Sequence, residues 1–187
     1  MTAPDLVALV LAAGAARRFG SDKLMHPLGG KPLAAHIADT LMEMNLTPRL
    51  AICPAGANDR IELFEERGFE VIANPEPERG MASSLALGAV RAQSLDAGAL
   101  LVCLADMPYV TAAHLERIMR AGGDAVATSA AGLATPPVML HAAFFPALIA
   151  LTGDHGARQL LANATLVPAD LGMIRDIDRP DDLKPAR

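Results

Sequence analysis

With two cysteines, no tryptophan and one tyrosine in 187 residues, the chain lacks several common structural supports. Cys53 and Cys103 form no Cys-x-x-Cys pair, so neither a disulfide framework nor a cysteine zinc site is indicated. The five histidines, at 26, 36, 114, 141 and 155, show no paired metal-ligand spacing. Basic residues number 16 against 21 acidic ones, and a net charge of −5 argues against the broad basic face that nucleic-acid binding needs. The apolar run over residues 6–16 is too short to span a bilayer. It also lacks the upstream positive charge of a signal peptide, since Asp5 precedes it and Arg17 and Arg18 follow. These absences predict a cytoplasmic, reduced protein with no nucleic-acid or membrane partner.

What is present is core-forming material. Apolar residues make up 52% and charged residues 20%, as in a globular domain. A chain of this length buries about 70% of the surface its unfolded form exposes, so a single domain over 1–187 needs no covalent staple. Strand-like and helix-like runs alternate, which predicts an α/β fold with a central, mostly parallel sheet. Strands are expected at residues 6–11, 49–53, 69–73 and 99–105. Pro32 is expected to open a helix with Leu33, Ile37, Leu41 and Met44 on one face, and Asn58 to cap another that Gly68 closes. Ser83 or Ser84 can cap a helix running to about residue 93, and Thr111 starts one ended by Gly122. Beyond that the order is less regular: short strands at 125–128, 137–141, 166–168 and 173–177, with helical pieces near 144–151 and 157–162.

The first strand breaks into Ala12, Ala13, Gly14, Ala15 and Ala16, small residues that let a ligand approach main-chain N–H groups closely. Arg17, Arg18, Lys23 and Lys31 follow within fifteen residues, opposed only by Asp22. This is the layout of a nucleoside triphosphate site, although the spacing fits neither the P-loop nor Gly-x-Gly-x-x-Gly; the competing reading is a solvated loop. The run at 99–105 ends at Asp106, which places a carboxylate where open α/β sheets bind ligands. Its hard oxygens suit magnesium held jointly with substrate phosphates, whereas the plain reading is a cap on the next turn or on the helix at Thr111. The segment from Gly80 to Gly88 leads into a helix whose free N–H groups can read a base edge or hold an anion. Its plain reading is a helix cap with Met81 and Leu85 in the core, and Asn74, just before Pro75, is placed to orient it.

Leu11-Ala12-Ala13-Gly14-x-x-x-Arg18-Phe19-Gly20-x-x-Lys23 resembles the signature of nucleotidyltransferases with a molybdenum-cofactor-transferase-like fold. Leu104-Ala105-Asp106-Met107-Pro108, Gly80-Met81-Ala82-Ser83-Ser84-Leu85 and the terminal Asp178-Arg179-Pro180-Asp181-Asp182-Leu183 match in order. Within that group the chain is most similar to the molybdenum cofactor cytidylyltransferases. The resemblance implies a three-layer Rossmann-like fold, with a nucleotide-binding half over about 1–128 and an acceptor-binding half over about 129–187. It implies that Arg18 and Lys23 neutralise triphosphate oxygens, that the main chain of Leu11, Ala12, Ala13 and Gly14 meets base and ribose, and that Gly80 and Ser84 contact the base. It makes Asp178 the partner of Asp106 on Mg2+; Asp176 competes, since alternate strand residues point the same way. Gly153-Asp154-His155-Gly156-Ala157-Arg158 is similar to an acceptor-side pattern, with Arg158 as a phosphate grip and Asp154 equally suited to capping the helix. His155 is not needed as a base, because an attacking phosphate is already ionised.

The implied reaction attaches CMP from CTP to molybdopterin and releases pyrophosphate, with a molybdoenzyme or its chaperone as a further partner. Two departures stand out: Ala16 where the family often has Ser, and Pro136-Pro137 in the acceptor segment. Ala13 is the residue that favours CTP, since Leu-Ala-Gly-Gly would suggest a guanylyltransferase. The alternatives are transfer of another nucleotide or to another phosphorylated acceptor, and a nucleotide sensor or nicotinamide-dependent oxidoreductase on the same fold.

Overall fold

The computed structural model describes residues 6–14, 22–152, 156–175 and 177. In chain order it forms β1 (Leu6–Leu11), a ribbon of β2 (Pro27–Leu28) and β3 (Lys31–Pro32), α1 (Leu33–Glu43), β4 (Arg49–Pro54), α2 (Asn58–Glu65) and β5 (Glu70–Asn74). There follow α3 (Met81–Ser94), β6 (Ala99–Leu104), α4 (Ala112–Arg120), β7 (Ala125–Ala130), β8 (Leu133–His141), α5 (Phe145–Ile149), α6 (Gly156–Leu160) and β9 (Thr165–Pro168).

Every residue of β1 is buried, as its unbroken apolar run predicts for a central strand. Leu6, Ala8, Val10 and Ala12 face a core with residues of α1, α2 and α4. Val7, Leu9, Leu11 and Ala13 face a second core with α3 and α5. The period-two alternation of one strand thus builds both helix layers of a three-layer α/β/α fold. In α1, Leu33, Ile37 and Leu41 are fully buried at helical spacing, so the expected apolar face is there.

The main sheet runs β5-β4-β1-β6-β8-β7-β9. Its pairs are parallel except for those of β8, which runs antiparallel to both β6 and β7. The chain lays β4 and then β5 outward on one side of β1, then returns to place β6 on the other. That reversal leaves a crevice beyond the paired strand ends Leu11 and Leu104, the position where open α/β sheets bind ligands.

β8 is longer than its sequence suggests. It begins at Leu133 rather than at 137, so both Pro136 and Pro137 lie inside it, where they supply no N–H to the ladder. The register with β7 shifts between Ala127 and Thr128 at that point. The Thr128 hydroxyl donates to Pro137 O at 2.8 Å and accepts from His114 Nε2 at 2.9 Å, so a β7 side chain takes the Pro137 carbonyl at the register shift and α4 holds that side chain.

Other expectations need correction. Asn58 is the first residue of α2 rather than its cap, and Gly80 precedes α3, leaving Ser83 and Ser84 inside its first turn. Residues 171–174 form a turn rather than the start of the expected strand, because the Met173 N–H that a ladder would use donates to Asp170 O. Thr111 caps α4 as expected, its hydroxyl accepting from His114 N. Among the described residues, no helix is long and apolar enough to cross a membrane.

Candidate active site

The main chain carries β1 pairing one step past the strand. Ala12 N donates to Ile52 O at 2.9 Å, and Ala105 N donates to Leu11 O at 3.2 Å. The side chains of Leu11, Ala12 and Ala13 are buried while Gly14 is exposed, so what this segment has to offer a ligand is its backbone. Asp22 follows, its Oδ1 accepting from Leu24 N, and starts the short turn Lys23–Met25.

Lys23 and Asp106 converge across 83 residues of sequence, with Nζ 2.8 Å from Oδ2. Their side chains are 12% and 24% exposed, enough to meet a ligand and too little to be ordinary solvated surface. The Asp106 carbonyl accepts from Ile177 N at 3.1 Å, which brings the stretch between the two competing carboxylates, Asp176 and Asp178, against the end of β6. Asp176 and Asp178 themselves lie outside the described residues, as do Arg18, Ala16, Asp154 and His155.

Gly80 stands before α3 with φ 82° and ψ −169°, a conformation essentially restricted to glycine. Asn74, at the end of β5, holds the segment that follows. Its Nδ2 donates to Ser83 Oγ at 2.9 Å and to Ser84 Oγ at 3.0 Å, and its Oδ1 accepts from Glu76 N. Ser83 in turn donates to Gly80 O. Asn74 therefore orients the loop, as its position before Pro75 suggested, and Ser84 is buried beneath it.

Beside Leu11 opens a cavity of about 290 Å³ between the sheet and the α3 layer. Leu85, Val102, Val138 and Leu140 give it an aliphatic body; Thr135, Pro136 and Arg158 also line it. Arg158, on α6, is exposed, so its guanidinium is accessible to an anion. The cavity joins Leu11, at the end of β1, to the segment containing Pro136 and to Arg158.

Arg60 is the residue that sequence reading missed. It is 6% exposed on α2. Its Nε donates to Asp22 Oδ2 at 2.6 Å and its Nη1 to Ala12 O at 2.6 Å, with Gly14 O at 3.4 Å. The signal was its spacing: Arg60, Leu63 and Phe64 share one helix face, and a charge on a face otherwise apolar needs a partner.

Cys53 and Cys103 are buried free thiols, pushed up to about 12 chiefly by desolvation. Both behave as small hydrophobes, as expected from their apolar runs.

A purine catabolism protein of Bacillus subtilis, PucB, is 30% identical over 197 residues, covering 97% of this chain and 96% of its own. A probable molybdenum cofactor guanylyltransferase of Pyrococcus horikoshii is 36% identical over 118 residues, covering 62% of this chain and 55% of its own. Among solved structures, Rv0371c of Mycobacterium tuberculosis superposes with a TM-score of 0.84 at 23% identity, over 97% of this chain and 96% of that one. Its complex with manganese gives a TM-score of 0.77 at 22% identity, with 95% of each chain covered. These last two likenesses concern the fold. Residues 8–169, which take in β1 from Ala8 onward, the Lys23–Asp106 pair and every later strand, match the MobA-like NTP transferase domain, and the chain is a nucleotidyltransferase of that family.

Proposed function

We propose that the chain transfers CMP from CTP to the terminal phosphate of molybdopterin. An oxygen of that phosphate bonds to the α-phosphorus of CTP, the bond from that phosphorus to the bridging oxygen breaks, and pyrophosphate leaves. The observation that carries this reading is the pairing of Lys23 with Asp106 in the β1–β6 crevice, at the point where the sheet order reverses.

In this reading Lys23 and Arg18 neutralise charge on the triphosphate, the largest lever available in phosphoryl chemistry. The main chain from Leu11 to Gly14 meets base and ribose, and Gly80, fixed by the Asn74 network, meets the base together with Ser84. Arg158 grips the acceptor phosphate from the far side of the cavity, so residues up to about 128 serve the nucleotide and later ones the acceptor.

Asp106 presents hard carboxylate oxygens of the kind a divalent cation takes together with substrate phosphates, while the described residues hold no cluster of three metal-ligating side chains. Asp106 and Asp178 would hold Mg2+, with the Ile177–Asp106 hydrogen bond favouring the terminal segment as the second source. When bound, the ion supplies further neutralisation of phosphate charge.

A guanylyl transfer is the second reading, favoured by the 36% identity to the probable molybdenum cofactor guanylyltransferase. Pyrophosphate release by purified protein with magnesium and molybdenum-loaded molybdopterin separates the two. Release with CTP alone supports the first reading, and release with GTP alone replaces it with the second. Release with neither, from protein that binds nucleotide, removes molybdopterin as acceptor.

A further inference from the structure

We infer that Arg60 is a positioning residue for nucleotide binding: a buried guanidinium that stands in for a missing strand partner and fixes the two ends of the phosphate loop, at Ala12 and Asp22. The inference rests on reading residues 11–23 as the nucleotide loop; neither the base nor the acceptor enters it.

The need arises from one proline. Ala12 N donates to Ile52 O, and in a parallel ladder of that register the Ala12 carbonyl is paired with the N–H of residue 54. Residue 54 is proline and has no N–H. Arg60, six residues on and in the first turn of α2, reaches back and donates to Ala12 O instead, at 2.6 Å. A buried carbonyl without a donor would be costly, so the sequence supplies one from the next element.

That bond has a direction. The Ala12–Ala13 peptide is trans, so a carbonyl held toward Arg60 on the β4 side turns the Ala13 N–H to the β6 side, where Asp106 stands. The same guanidinium binds Asp22 through Nε, and Asp22 caps the turn that begins at Lys23. One planar fork thus ties the departing end of the loop to its returning end and sets Lys23 through Asp22. Asp22 offsets the charge of Arg60, so the effect on a nucleotide is geometric. Lysine keeps the charge and lacks the fork.

The test is isothermal titration of the intact protein with CTP and with GTP in magnesium buffer, with the thermal midpoint of each variant measured alongside. Arg60→Lys is expected to bind nucleotide about 10- to 100-fold more weakly, as follows from small misplacements of binding groups. Millimolar guanidinium is expected to restore affinity to Arg60→Ala. A merely structural role would lower the midpoint and leave the affinity of the folded protein unchanged. Arg60→Lys that folds and binds as tightly as wild type would overturn the inference and leave the loop reading intact. Wild-type protein that binds neither nucleotide would overturn the loop reading, and this inference with it. Should Arg60→Lys fail to fold, Asp22→Asn decides by the same criterion: weakened binding supports the fork, and unchanged binding removes it.

Discussion

A Cβ added at Gly88 would stand 2.4 Å from Leu9 Cδ2, so α3 lies against β1 at a distance only glycine permits. Leu9 is fully buried between its neighbours and has nowhere to retreat. Alanine is the better helix former by up to about 1 kcal/mol, but overpacking a tight core costs about 1–3 kcal/mol. Gly88→Ala is therefore expected to be destabilising on balance, by about 1–2 kcal/mol in urea unfolding. Combined with Leu9→Ala, it should cost less than the sum of the two.

The Lys23–Asp106 pair is expected to matter for turnover far more than for folding. Lys23→Ala and Asp106→Ala should each lower nucleotidyl transfer by at least about 100-fold, the scale for removing one group that stabilises developing charge. Their unfolding midpoints should fall modestly, since each change leaves the other charge unpaired at a largely buried site, so turnover is compared where both variants remain folded. Full activity in Asp106→Ala would remove that residue from the site.

At Gly80 the backbone itself is the constraint. Its φ of 82° with ψ of −169° is strained for any L side chain, at a cost of about 1–3 kcal/mol. Gly80→Ala should lose that much stability or shift the start of α3. Either result should weaken nucleotide binding, measured by titration with CTP and GTP, if this loop meets the base.

Burial, with a smaller push from Arg117, holds His114 below the ordinary imidazole value of 6.5. Because Thr128 donates to Pro137 O, His114 donates from Nε2, and its buried Nδ1 has no partner among the described residues. The unfolded chain takes up this proton near pH 6.5 and the folded one only at lower pH. Stability should therefore fall as pH drops through 6.5 toward the folded value, by at most about 1.4 kcal/mol per pH unit from this group. Urea unfolding at several pH values, compared with His114→Gln, isolates the contribution.

Thiols raised to about 12 and fully buried should resist alkylation in the native protein at pH 8. Cys53 and Cys103 are expected to label with iodoacetamide only on unfolding, which mass spectrometry can follow.

Much of the site was legible because its signals are local. The apolar run into Ala12, Ala13 and Gly14, and a carboxylate just after another apolar run at Asp106, can each be read from a few neighbours. Their meeting could not be read from composition, since it depends on β6 crossing to the far side of β1. Arg60 was missed for the same reason: its partners Ala12 and Asp22 lie 48 and 38 residues away. The strand expected over 137–141 begins four residues earlier, at Leu133, where β8 pairs with β7 beyond the register shift, a long-range contact that local pattern does not show. The strand expected over 173–177 does not begin at Met173 because its N–H closes a turn onto Asp170 O, which alternation alone does not reveal.

The bond from Ile177 N to Asp106 O also sets an order in time. As the chain leaves the ribosome, β1, β4 and β6 are all available once residue 104 has emerged, so the crevice floor exists early. The segment that closes on Asp106 arrives more than seventy residues later, several seconds at about 5–20 residues per second. A nascent or clipped chain lacking Ile177 retains the floor of the crevice without that closure. Completion of the site is thereby tied to completion of the fold.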